Sequence, residues 1–255
     1  MTILALKIFL APACVVAVSL AGRRWGASVA GLLGGFPVVG GPILLVVTLV
    51  HGRDFGAHAA AGSLLGLAAG GASAVVYARL APRLAPVTTL LIGWATFFAG
   101  IALLGWLWPP VGVSLVLVAL VFELGRWFVP PPPGAAPVYP ELPWWDLPAR
   151  TLAALSMVLA ITIASGSLGA TVSGLLASFP ILTSVLIVFT HLHHGAAETQ
   201  VLIRGFLLGF YGFASFSFAL AVALPHVSTG LAFGIALGAA AIVQVAMASR
   251  GAGAR

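Results

Sequence analysis

Histidines form the densest group of side chains in this sequence that can exchange protons. His191, His193 and His194 stand almost side by side, and Glu198 follows them. Histidine titrates near neutral pH and binds metals, so the group fits either proton coupling or a metal site. No tight ligand spacing such as His-Glu-x-x-His is present, and we predict no bound metal. Solvated histidines at a membrane surface are the simpler interpretation of the same residues.

Two further ionisable residues stand in or next to apolar segments. Lys7 lies about one turn inside such a segment, where a lysine binds an anion, pairs with a carboxylate or extends to the nearest water. Glu123 precedes Arg126 at a helical spacing that favours an ion pair, with proton coupling as the alternative. The candidates for charge or proton coupling are therefore Lys7, Glu123, His191, His194 and Glu198.

Catalytic constellations are missing from the sequence. It offers no nucleophile, base and oxyanion-stabilising set, and no glycine-rich phosphate loop that leads into Lys-Ser or Lys-Thr. The connections between apolar segments are too short to hold a catalytic domain. We therefore predict a protein that is not an enzyme and uses no cofactor.

Composition assigns the chain to the integral membrane proteins. Hydrophobic residues make up 61% and charged residues 6% of its 255 residues, against ~45–50% and ~25% in soluble domains. The net charge of +6 does not indicate nucleic acid, because the basic residues fall mostly between apolar segments. The expected partners are membrane lipids and a small solute, and a homo-oligomer is left open.

Nine apolar segments are long enough to cross a hydrocarbon core of ~30 Å, which predicts an all-α polytopic membrane protein. Between the fifth and the sixth lies a Pro-rich connection, 130–148, which we expect to be a stiff linker. The nine segments are 3–22, 25–50, 55–81, 86–108, 111–129, 149–168, 169–192, 201–224 and 229–248.

The basic residues predict the orientation. Nine of the eleven fall on one side of this topology, and only Lys7 and Arg53 on the other. Because cytoplasmic loops are enriched in Lys and Arg, we expect the N-terminus outside and the C-terminus in the cytoplasm, in a bacterial inner membrane. A cleaved signal peptide at the first segment is the alternative, since Lys7 precedes an apolar run.

A twelve-residue motif occurs twice. Gly-Ala-Ser-Val-Ala-Gly-Leu-Leu-Gly-Gly-Phe-Pro at 26–37 returns as Gly-Ala-Thr-Val-Ser-Gly-Leu-Leu-Ala-Ser-Phe-Pro at 169–180, an offset of 143 residues, with eight positions identical. Spans one to four thus correspond to spans six to nine, and the odd fifth span reverses the second copy, as in inverted-topology transporters. The predicted 4+1+4 organisation is 1–108 for the first repeat, 109–129 for the connecting helix, 130–148 for the cytoplasmic linker and 149–255 for the second, inverted repeat.

Each Phe-Pro pair is predicted to break a membrane helix, the second and the seventh. Pro37 follows Trp25 by about 18 Å of helix, which places the break near the bilayer midplane. Proline frees backbone carbonyls, and the half-helix after it presents a positive end that favours anionic groups. Helix packing alone is the alternative. The predicted substrate-binding residues are Gly34, Gly35, Phe36, Pro37, Gly40, Gly41, Ala177, Ser178, Phe179, Pro180, Thr183 and Ser184.

Other glycines recur every fourth residue along the apolar segments. Such spacing is typical of helices that approach each other closely, and we predict a packing role for all of them. They are Gly62, Gly66 and Gly70, Gly205 and Gly209, and Gly234 and Gly238.

The motif helix resembles the small GlpM-type membrane proteins associated with alginate production. The likeness lies in Ala30-Gly31-Leu32-Leu33-Gly34-Gly35-Phe36-Pro37 and its second copy at 173–180, which match an Ala-Gly-Leu-x-x-x-Phe-Pro element. It covers those two helices, and this chain has twice the length of the short unit of that family. The resemblance implies a tandem duplication of such a unit, and a role in polysaccharide export is not carried over.

These patterns favour a secondary transporter that moves a small, anionic solute by alternating access, with proton coupling left open. A flippase for a lipid or a lipid-linked intermediate is the main alternative, and a non-transporting membrane assembly factor is the third. A polar cavity in contact with both Phe-Pro breaks would indicate a transporter. A groove open to lipid would indicate a flippase.

Overall fold

The computed structural model describes residues 2–130, 143–167 and 179–252, and the regular structure in these ranges is entirely helical. The helices are α1 (Thr2–Trp25), α2 (Ala27–Gly34), α3 (Gly40–His51), α4 (Arg53–Leu80), α5 (Pro86–Leu107), α6 (Val111–Phe128), α7 (Asp146–Ser167), α8 (Ile181–Ala223) and α9 (Thr229–Ala252).

Five of the described helices are long and apolar enough to cross a membrane. They are α4, α5, α6, α8 and the part of α9 from Thr229 to Arg250. Their lipid-facing surfaces carry exposed aromatic and aliphatic side chains such as Trp106, Leu120 and Ile242. A surface of this kind is stable in hydrocarbon and not in water, so the integral membrane class predicted from composition agrees with the helices.

Helix α8 is the centre of the bundle. It contacts α1, α2, α4, α5, α6, α7 and α9. Its side chains Ile203, Phe206 and Leu207 are fully buried, in one apolar cluster with α2, α4 and α6. The other helices are thereby held around a single buried element.

Glycines bring α2 and α8 together backbone to backbone. A methyl group added at Gly35 would lie 2.5 Å from the carbonyl carbon of Gly209, and one at Gly31 would lie 2.6 Å from the backbone nitrogen of Phe206. The Cα atom of Gly31 would in turn lie 3.0 Å from a methyl group at Gly205. Only glycine permits so close a crossing. The packing role predicted for Gly205 and Gly209 is confirmed.

The same prediction is wrong for Gly234 and Gly238, which are exposed. A methyl group added at either glycine would meet no heavy atom of the described residues within 4 Å. The four-residue spacing is therefore not sufficient for close contact, because the glycine face must also point toward another helix.

Two glycines redirect the chain in the same way. Gly52 between α3 and α4 has φ 92° and ψ 169°, and Gly195 within α8 has φ 78° and ψ −175°. This backbone region is strongly unfavourable for residues with a side chain. Helix α8 is therefore two helical parts, 181–194 and 196–223, that meet at Gly195.

The two Phe-Pro segments have the same backbone hydrogen bonds. The Val38 amide donates to the Phe36 carbonyl at 2.7 Å, and the Ile181 amide to the Phe179 carbonyl at 2.9 Å. The carbonyl of the following proline accepts from the fourth residue after it in both segments, at 2.9 Å. Residues 35–39 thus separate α2 from α3, and α8 begins directly after Pro180.

Candidate functional site

A cavity of about 260 Å³, with a wall that is part polar and part apolar, lies between α1, α2, α7 and α8. Small and aliphatic residues make room for it, namely Gly22, Ala27, Ala30, Leu186 and Leu202. Its polar wall consists of Ser19, Arg23, Arg150, Thr190, His194 and Glu198. Four of these six side chains are ionisable, which is unusual within an apolar bundle and marks a candidate functional site.

Helix ends and the bend of α8 bring the charged side chains together. Arg23 lies in the last turn of α1, and Arg150 lies one turn into α7. His194 and Glu198 flank the bend at Gly195. We call this end of the bundle the arginine end. Leu186 lies about 12 Å of helix away from His194, so the cavity extends from the arginine end toward the middle of the bundle.

Asp146 holds the two arginines in place from behind the cavity. Its carboxylate is fully buried, accepts from Nη2 of Arg23 at 2.8 Å, and accepts from Nε of Arg150 at 3.1 and 2.9 Å. Nε2 of His193 lies 3.1 Å from the remaining face of the same carboxylate. One acidic residue thereby ties α1, α7 and α8 together.

The guanidinium groups keep donors for a ligand. The contacts with Asp146 use one nitrogen atom of Arg23 and one of Arg150. A guanidinium has five N–H groups on three nitrogens, arranged to fit a carboxylate or a phosphate. The cavity wall can therefore bind an oxyanion without losing its own ion pairs.

Ser19 presents an unused hydroxyl at the same place. The residue is 7% exposed, and its Oγ atom has no hydrogen-bond partner among the described residues. A buried hydroxyl without a partner destabilises the fold by about 1–3 kcal/mol. Ser19 belongs to the cavity lining, and a change of its side-chain rotamer would bring the buried hydroxyl to a bound solute.

The first set of predicted site residues lies against α8 and α9 and outside the cavity lining. Gly34 and Gly35 face Phe206 and Gly209, and Gly40 faces the ring of Phe213. Phe36 packs on an apolar cluster of α4, α8 and α9, Pro37 is buried, and Gly41 lies beside Phe216 and Pro37. The motif helix reaches the cavity through Ala27 and Ala30 instead.

The second set lies against α5. The ring of Phe179 stacks on Phe98, with centroids 5.6 Å apart, and meets Trp94 edge to face at 5.1 Å. Nε1 of Trp94 donates to Oγ of Ser184 at 3.0 Å. Pro180 is half-buried, Thr183 is buried, and Ala177 and Ser178 lie outside the described residues. The structure therefore brings neither set into the cavity within its described part.

A glutamine compensates for the first interruption. The Phe36 amide bonds to the Leu33 carbonyl, which leaves the Leu32 carbonyl without its helical partner. Nε2 of Gln244 on α9 donates to that carbonyl at 2.7 Å. Polar side chains from neighbouring helices commonly satisfy backbone groups that a proline frees in a membrane helix.

The ionisable candidates divide between the cavity and other places. His194 and Glu198 line the cavity. His191 is not part of the cavity lining, and its Nδ1 atom lies 3.0 Å from the Tyr77 hydroxyl. Glu123 lies 3.4 Å from Arg126 and accepts from the Tyr211 hydroxyl at 2.9 Å. Of Lys7 the structure describes the backbone within α1 and not the side chain.

A second cavity, of about 360 Å³, lies between α6, α8 and α9. Its lining includes Leu115, Val118, Phe218 and Val243, with Tyr211 and Ser215 as polar residues and no charged one. Such a wall offers no charged group that would select an anionic solute. The cavity at the arginine end is therefore the stronger candidate.

Sequence reasoning missed Ser19, Arg23, Asp146 and Arg150 as site residues, since it treated the arginines as markers of orientation. A usable signal was present in the scarcity of acidic residues, of which the chain has five. Asp146 and Arg150 are spaced for contact at the start of a membrane helix. A carboxylate at that place requires a partner, which predicts the ion pair.

Comparisons of the chain with known proteins assign no family and no function to it. No protein-family model matches the chain, and neither the curated proteins nor the solved structures include a significant match to it.

Proposed function

We propose that this protein is a secondary transporter of a small solute that carries an anionic group, and that the cavity at the arginine end is its binding site. The observation that carries the proposal is the joint presence of Arg23, Arg150 and Ser19 in the lining of one cavity, with no partner for the Ser19 hydroxyl among the described residues. Arginine pairs bind carboxylates and phosphates through directed N–H groups. A volume of about 260 Å³ lies below the ~300–1,000 Å³ of pockets for drug-sized ligands and suits a small solute.

Alternating access is supported by the correspondence between the two halves of the chain. Shifted by 143 residues, α4 coincides with residues 196–223, the second part of α8, and Gly52 coincides with Gly195. The hydrogen bonds at Phe36–Pro37 recur at Phe179–Pro180. With α6 as the odd helix between the halves, we infer a 4+1+4 inverted repeat with broken second and seventh spans in a bacterial inner membrane. Such repeats provide two equivalent conformations that open on opposite sides.

The motif helix links the cavity to the first break. Ala27 and Ala30 of α2 form part of the cavity wall, and the same helix ends at Gly34, just before Phe36 and Pro37. A change in the angle between α2 and α3 would therefore move that wall. In this proposal the Phe-Pro breaks act as hinges of the site and not as its contact residues.

The experiment for this proposal is cysteine labelling of the cavity wall. After Cys14→Ala removes the native thiol, Ala30→Cys should react with a membrane-impermeant maleimide from the face that carries the arginine end. A transported solute should lower the labelling rate, because an alternating site is closed for part of the cycle. The matched control is Ala236→Cys, which is fully buried in α9 and should not react.

An Ala30→Cys protein that is folded and unreactive from both faces would contradict a solute-accessible cavity. Equal reactivity from both faces at all times would indicate a channel and not a carrier.

A further inference from the structure

The cavity wall carries charges of both signs. Arg23 and Arg150 supply positive charge, and Glu198, which is 9% exposed, supplies a carboxylate on the same cavity. Glu198 and Leu202 lie one turn apart on α8, about 6 Å along the helix, so the carboxylate stands beside an apolar part of the wall. A carboxylate has two oxygens with about four acceptor positions, so it can accept from a ligand in addition to its protein contacts.

The charges that the described residues place around the cavity balance. With neutral histidines, the guanidinium groups of Arg23 and Arg150 are matched by Asp146 behind the wall and Glu198 on it. A ligand with only a negative charge would leave an excess charge in a poorly solvated place, which is costly. A ligand that carries one negative and one positive group leaves the balance unchanged.

The apolar part of the cavity wall restricts the uncharged part of the ligand. Ala30, Leu186 and Leu202 are buried and apolar, and they form an apolar part of the same cavity wall. The space suits a compact apolar substituent in contact with these residues, while the charged groups stay near the arginine end.

From this arrangement we propose that the cavity binds a zwitterion, with its oxyanion on Arg23 and Arg150 and its ammonium group on Glu198. The inference rests on the proposed function and names its substrate class. Two sources present this chemistry: a free amino acid with a short side chain, and the headgroup of an ethanolamine phospholipid. Both place an ammonium group a few bonds from an oxyanion.

The experiment is a binding titration on the purified full-length protein in a non-ionic detergent. The probes are alanine and leucine, the matched acids propionate and 4-methylpentanoate, which lack the amino group, and glycerophosphoethanolamine, a phosphodiester, as the soluble headgroup. Wild-type protein should bind a zwitterion at least about tenfold more tightly than its matched acid. Tighter binding of the amino acids indicates a free solute, and tighter binding of glycerophosphoethanolamine indicates a lipid headgroup.

The decisive variant is Glu198→Gln. It should lose about tenfold in affinity for the zwitterion and keep or improve its affinity for the matched acid, which reverses the preference. Glu123→Gln, whose carboxylate lies outside the cavity and is half exposed, should change neither affinity. Rescue of zwitterion binding by Glu198→Asp would separate a charge effect from misfolding.

Equal binding of acid and zwitterion by the wild type, an unchanged preference in Glu198→Gln, or no zwitterion binding at all would overturn the inference. Binding of the acids alone would overturn the zwitterion inference and would not contradict the proposed transport of an anionic solute. Zwitterion binding without any flux across a membrane would contradict transport and leave the site intact.

Discussion

The single N–H of Arg150 Nε is shared between the two carboxylate oxygens of Asp146, at N···O distances of 3.1 and 2.9 Å, across one turn at the start of α7. Asp146 is fully buried and the Arg150 side chain is 5% exposed, so bulk water solvates the pair poorly. Removal of one member of such a pair leaves the other charge buried and uncompensated.

We therefore expect Asp146→Asn to lower the free energy of unfolding by about 3–5 kcal/mol. Denaturant or thermal unfolding in detergent measures this change. Asp54→Asn is the matched control, because it removes the same charge from an exposed position at the start of α4, and it should have a far smaller effect. Equal losses in the two variants would show that the buried ion pair does not stabilise the bundle.

The crossing of α2 and α8 predicts a large difference between two glycine substitutions. Gly209→Ala would place a methyl group against the Leu32 carbonyl and 2.9 Å from Cα of Gly35, so the helices must separate, at a cost of about 1–3 kcal/mol. Gly234→Ala meets no described heavy atom within 4 Å and should leave stability unchanged or raise it by up to about 1 kcal/mol. Unfolding in detergent compares the two, and a tolerated Gly209→Ala would refute the close crossing.

Ser19→Ala should lower the affinity for the solute without lowering the stability of the protein. Loss of a buried hydroxyl without a partner should not destabilise the protein, whereas Ser114→Ala, which removes a hydroxyl bonded to the Pro109 and Pro110 carbonyls, should cost about 0.5–1.5 kcal/mol. Affinity for the bound solute should fall about three- to tenfold in Ser19→Ala and stay unchanged in Ser114→Ala. If Ser19→Ala unfolds more readily and binds normally, the hydroxyl has a structural role.

The proposed topology predicts opposite reactivity for two surface positions. In a Cys14→Ala background, Pro82→Cys near the arginine end should react with an impermeant maleimide from the cytoplasmic face, and His226→Cys from the outer face. Both residues are exposed in connections between helices. Reaction of both from the same face would exclude the inferred arrangement of spans.

Much of the helical architecture follows from local pattern. The start of α5 at Pro86 agrees with the segment predicted from 86, because proline suits the first helical turn. The start of α9 at Thr229 agrees as well. The beginning of α7 at Asp146, inside the segment expected to be linker, shows that prolines in the first helical turn do not prevent a helix.

The candidate site was less accessible to sequence reasoning, since it depends on contacts between distant residues. Asp146 connects Arg23 of α1 to Arg150 of α7 through two ion pairs, and no local pattern predicts that α1 lies beside α7. The Phe-Pro motif predicts a break in the chain, and α2, which ends at Gly34 just before it, forms part of the cavity wall. Pattern alone does not distinguish a contact residue from the hinge proposed here.

Counterflow into proteoliposomes provides the most direct test of transport by this protein. Vesicles preloaded with unlabelled amino acids or short mono- and dicarboxylates are diluted into the same labelled solutes. We predict transient accumulation of at least one solute above the level in protein-free vesicles. Pro37→Ala and Pro180→Ala should abolish it, while Pro82→Ala in an exposed turn should not. No accumulation of any solute, or unchanged accumulation in both motif variants, would contradict the proposed carrier.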